Sequence, residues 1–95
     1  MSGDLDDAFY DRADAHIHLA NSQIENISRG KVSASMMYAN ARFSAWLSAT
    51  GCQSAEDLQA LREENIAYFV EQFRKMLDEN YTDYTDNFDS FMKQS

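Results

Sequence analysis

The chain reads as an all-α protein: an up-down-up three-helix bundle that dimerises and carries an acidic, aromatic C-terminal tail. Three observations point there. The 95 residues hold no proline and only three glycines, Gly3, Gly30 and Gly51. Apolar residues recur every three or four positions through most of the chain, which is the period of a helix and not of a strand. The two internal glycines divide that periodic pattern into three long segments.

The first helix is expected from about Leu5 to Ser28. Phe9, Ala13, Ile17, Ala20, Ile24 and Ile27 fall in one stripe, with Asp11, Asp14, His18, Asn21 and Glu25 on the far side. Arg29-Gly30 is its expected end, glycine being the usual residue just past a helix.

The second helix is expected over 34–49, with Ser33 as its N-cap and Thr50-Gly51 as its end. Val32, Met36, Phe43 and Leu47 make its stripe. Its other side is unusual, because Arg42 is the only charged residue between Val32 and Ala55. Ala34, Tyr38, Ala41 and Ala45 stand where a solvated helix would carry lysine and glutamate. Such a helix buries more than one face.

The third helix is expected over 55–80. "SAED" sets Ser54 as N-cap and Asp57 three residues on, a capping box with Asp in place of Glu. Leu58, Leu61, Ile66, Phe69, Val70, Phe73, Met76 and Leu77 form a broad apolar band, and Asn80 is the expected stop. Residues 81–95 are then a tail that folds back, stays loose or docks elsewhere. Tyr81, Tyr84, Phe88 and Phe91 keep a helical spacing there, but their neighbours are Thr, Asp, Asn and Ser, poor helix formers. With short connections, no repeat and no linker, residues 1–95 make one domain.

The net charge of −8 sits at the two ends. Asp4, Asp6, Asp7, Asp11 and Asp14 outweigh Arg12, and Asp78, Glu79, Asp83, Asp86 and Asp89 outweigh Lys93, while residues 15–77 balance. Nucleic acid and anionic membrane both demand a basic footprint, so neither is expected as a partner. The start "MSGDLDD" lacks the basic and apolar regions of a secretory signal, and no run is long enough to span a membrane. A cytoplasmic protein is expected. Cys52 is the only cysteine and has no charge within three residues to activate it.

"RADAHIHLAN" places His16 and His18 one residue apart. On a helix they point about 200° from each other and cannot share an ion. Asp11, Asp14 and His18 share one side and are the candidate metal ligands of a rival reading, a metal-dependent sensor or small enzyme. The favoured reading of that side is a solvated face with an Asp14–His18 pair at i, i+4. Neither a nucleophile elbow nor a phosphate-cradling loop is present, so no catalytic or cofactor-binding residue is nominated and no cofactor is expected.

The segments "FYDRADAHIHLAN" and "GKVSASMMYANARFSAWL" resemble a bacterial helical family catalogued as domain of unknown function 3144. The marks are Phe9-Tyr10, Asp14, Ala20-Asn21, Val32-Ser33, Tyr38-Ala39 and Arg42-Phe43, and the resemblance runs from about Phe9 to Asn80. It implies a small, mostly proteobacterial, cytoplasmic helical protein, and supplies no activity, cofactor or catalytic residue.

The residues therefore point to a protein–protein interaction or dimerisation module without catalysis, its partner a protein and first of all itself. Tyr38, Arg42 and Trp46 on the second helix are the expected contact anchors, being the residue types that dominate binding hot spots. Tyr84, Phe88 and Phe91 are expected as secondary docking residues.

Overall fold

The structure, a computed structural model, describes residues 6–93 and is helical almost throughout, with no strand among them. Five helices follow in order: α1 (Phe9–Ile24), α2 (Arg29–Thr50), α3 (Ala55–Ala60), α4 (Arg62–Asp86) and α5 (Phe88–Met92). The all-α expectation holds; the helix count and several boundaries differ. Two compact units divide the chain within α2, residues 1–45 and residues 46–95.

In the first unit, α1 is shorter than its apolar period suggests. Asp6 stands just before it and accepts from the Ala8 N–H at 3.0 Å, while the Arg12 guanidinium donates to the same carboxylate at 3.2 Å. This anion at the helix N-terminus serves as the cap that Ala8 cannot be. Leu5, the expected start, lies outside the described residues. At the other end Asn26 and Ile27 both donate to the Gln23 carbonyl, closing a turn at Ile24 and not at Arg29-Gly30.

Gly30 is accordingly not a helix stop. It sits in the first turn of α2, and no glycine among the described residues has a positive φ. The N-cap expected at Ser33 is also corrected: the Ser28 hydroxyl accepts from the Lys31 N–H at 3.4 Å, five residues earlier. Of the α1 stripe, Phe9, Ala13, Ala20 and Ile24 are half-buried whereas Ile17 and Ile27 are exposed, and Val32 of α2 is buried at 5% exposure.

In the second unit, Ser54 caps α3 as expected, accepting from the Asp57 N–H at 3.1 Å. In return the Asp57 carboxylate accepts from the Gln53 N–H at 3.3 Å, one residue upstream of the usual reciprocal partner. Such a cap stabilises a helix by about 1 kcal/mol.

The expected helix 55–80 is broken and prolonged. Leu61 leaves helical geometry at φ −95°, ψ 1°, although its N–H still reaches the carbonyls of Asp57 and Leu58. Neither proline nor glycine in "QALRE" announces the break. Asn80 does not stop α4, which continues to Asp86 and takes in the first six residues of the supposed tail.

The physical reason lies in the side chains that were counted against the helix. Asn80 Nδ2 donates to the Met76 carbonyl at 2.8 Å, and Thr85 Oγ1 donates to the Tyr81 carbonyl at 2.9 Å. Each bonds back to the turn four residues before, within the helix and not against it. The stop is Asn87, at φ −121°, ψ 30°, whose side-chain amide donates to both the Asp83 carbonyl and its carboxylate. Beyond it the chain resumes as α5.

Candidate interaction surface

The surface begins with what α2 lacks. Its 22 residues carry charge only at Arg29, Lys31 and Arg42. Tyr38, Arg42 and Trp46, at i, i+4 and i+8, lie along one side of the helix within about 80°. Tyr38 and Arg42 belong to the first unit and Trp46 opens the second. Tyr38 is 67% exposed and Trp46 58%. Met37 and Phe43 are exposed as well, so apolar side chains reach solvent from more than one side of α2.

The covered side of α2 is not the stripe read from the sequence. Apart from Val32, its half-buried positions are Ser44 and Ser48, whereas Phe43 and Leu47 of the expected stripe are exposed. Ser44 and Ser48 lie about 160° and 120° around the helix from Arg42, the middle of the line of Tyr38, Arg42 and Trp46.

α4 repeats the pattern with more charge beside it. Ile66, Val70, Phe73 and Leu77, expected as core, are all exposed, Val70 at 62%. The half-buried residues of α4 are Asn65, Phe69 and Gln72. Spacing could have found the stripe, but nothing in it says which sector of the helix the chain covers.

Of the secondary docking residues, Tyr84 and Phe91 are brought together, their rings 4.6 Å apart and inclined at 36°. Phe88 opens α5 and is exposed. Together with Asp83, Asp86 and Asp89 they form an exposed acidic-aromatic end to the chain.

Asp11, Asp14 and His18 are all exposed on α1. Among the described residues, no three His, Cys, Asp or Glu side chains are grouped so as to hold an ion. The ion pairs there are Asp6–Arg12, Glu71–Arg74 and Asp89–Lys93, so the Asp14–His18 pair expected from spacing is not formed.

The paired acids differ from ordinary surface carboxylates. The hydrogen bond from Arg12, helped by the Ala8 N–H, holds the Asp6 carboxyl below its usual range. The two-point hydrogen bond from Arg74 does the same for Glu71. Both are fully solvated and tune the ends and flanks of helices. Cys52 is half-buried in the turn after α2, its thiol donating to the Ser48 carbonyl at 3.5 Å. No helix among the described residues is long and apolar enough to cross a membrane.

The chain was compared with known proteins. A family model described as "Protein of unknown function (DUF3144)" matches residues 9–85. That span reaches past Asn80 and includes Tyr84, so the family pattern covers the whole of α4 but its last residue. No curated protein matches. Among solved structures, the NMR structure of the protein NB7890A from Shewanella sp is similar at 41% identity, covering 97% of this chain and 99% of that one, with a TM-score of 0.79.

Proposed function

The chain belongs to the DUF3144 family of proteins of unknown function, and we propose that it is a cytoplasmic protein–protein interaction module, homodimeric and without catalysis. The observation that carries this reading is the distribution of cover. Val32 is the only buried residue among those described, while large apolar side chains stand exposed along α2 and α4. A chain of this size has little core to spare, and association is how such surface is removed from water.

On this reading the α2 line of Tyr38, Arg42 and Trp46 is the contact that makes the homodimer. Tyrosine and tryptophan bring large, amphipathic contact area at small entropic cost, and arginine adds a forked cation. The remaining charge on α2 is basic, and that of the chain as a whole is acidic, which keeps the assembly soluble and keeps it from nucleic acid and anionic lipid.

The test is Tyr38→Glu. A carboxylate in the middle of the contact should weaken association at least tenfold, read by light scattering, with helix content by circular dichroism unchanged. Wild-type affinity in that variant would exclude α2 as the contact.

A further inference from the structure

We propose that the apolar stripe of α4 seats a second copy of this chain, which lays the same stripe across it in the antiparallel sense. This contact is separate from the α2 surface and does not depend on it.

Ile66, Val70, Phe73 and Leu77 step by four, three and four residues, and Tyr84 follows seven later. All five fall within about 60° of one another on the helix, the narrow seam of a helix pair and not the broad band of a core-facing helix. The residues of α4 that the chain does cover, Asn65, Phe69 and Gln72, lie roughly 100° further round. The most apolar side of α4 is therefore not its covered side.

Three observations name the occupant. The first is area. With Tyr81 on its flank, the exposed part of the stripe amounts to about 700 Å² if a large side chain presents ~200–250 Å² in full. That is close to the ~800 Å² that each partner contributes to a standard stable interface.

The second is self-complementarity. A two-fold axis at Lys75 sets Phe73 against Leu77, Ile66 against Tyr84 and Val70 against Asn80, each pair occurring twice. Unlike side chains meet in every layer, and the bulky rings never meet their own copies. Isologous pairing of this kind is the commonest symmetry of small oligomers.

The third is charge. The same axis sets Arg74 within about 3 Å of the level of Asp78 of the second copy on one edge of the seam, again twice. A parallel pair would instead set the two acidic C-terminal halves of α4 at the same level. The acidic C-terminal half of α4 rejects itself and accepts the balanced N-terminal half.

Two isologous contacts whose two-fold axes cross at right angles close into a dihedral tetramer. The full chain carrying Tyr38→Glu, which removes the α2 contact, should then remain a dimer of twice 10.9 kDa by light scattering and sedimentation equilibrium. Adding Val70→Glu should make it a monomer, with circular dichroism confirming that the helices persist. In the same background Arg74→Glu should weaken the dimer about tenfold, and Asp78→Arg added to it should restore the affinity.

A monomeric Tyr38→Glu variant would overturn the α4 contact and leave the α2 reading standing, and so would a dimer that survives Val70→Glu. Failure of Asp78→Arg to rescue would overturn the antiparallel register. Equal masses for wild type and Tyr38→Glu, both lost on Val70→Glu, would uphold α4 and remove α2.

Discussion

The Tyr84 and Phe91 rings meet at 4.6 Å across the break at Asn87, tying the last helix of the chain to the one before it. α5 is only five residues long, too short to hold itself, so its order rests on contacts of this kind. Phe91→Ala should cost α5 about 1 kcal/mol of local stability, the scale of an aromatic pair. Amide exchange reads this directly: residues 88–92 should lose protection while the middle of α4 keeps it. Equal loss in both would mean that α4 and α5 open as one unit.

Gly30 carries a second prediction, one that separates the structure from the sequence pattern. A glycine ending a helix in the left-handed conformation would be damaged by any side chain. Here Gly30 lies in the first turn of α2 without a positive φ, and a Cβ added to it would meet open space. Gly30→Ala should therefore stabilise the protein by about 0.5 kcal/mol, by restricting the unfolded chain. Denaturant melts decide the sign, and a loss of stability would restore Gly30 to the role of helix stop.

Much of the fold was legible because helical period is a strong signal. The α1 stripe appears as half-buried Phe9, Ala13, Ala20 and Ile24, and the Ser54 cap is where "SAED" puts it. What the sequence misplaced were the stops. Gly30 and Asn80 are statistically good terminators, yet Asn87 ends α4 through bonds to Asp83 that Asn80 makes equally well to Met76 while staying helical. Only the local backbone distinguishes the two. The interaction surface was half legible: the uncharged α2 stood out, whereas the α4 stripe looked like core, since periodicity is the same for a buried seam and an exposed one.

Acid should loosen the start of α1 through Asp6. Asp6 is held below its ordinary value of 3.8 by Arg12 and the Ala8 N–H, so its contribution to stability is complete above that value and is lost as pH falls through the lowered one. Carboxylate NMR titration should find Asp6 below 3.8, and Arg12→Ala should bring it most of the way back. An Asp6 titration that ignores Arg12→Ala would mean that the ion pair does not persist in solution.

Metal should leave the protein indifferent. Asp11, Asp14 and His18 are exposed and do not gather with any third ligand, so zinc or manganese should not raise the melting temperature. His18→Ala, a change at a solvated position, should stay within about 0.5 kcal/mol of wild type. A thermal shift that chelator reverses and His18→Ala abolishes would revive the reading of a metal-dependent sensor or enzyme.

The central claim is that the exposed apolar faces are covered by another chain, and the solution mass tests it most directly. Light scattering on the full chain, from micromolar to near-millimolar concentration, should give twofold or fourfold 10.9 kDa. A folded monomer of 10.9 kDa across the whole range would contradict the account.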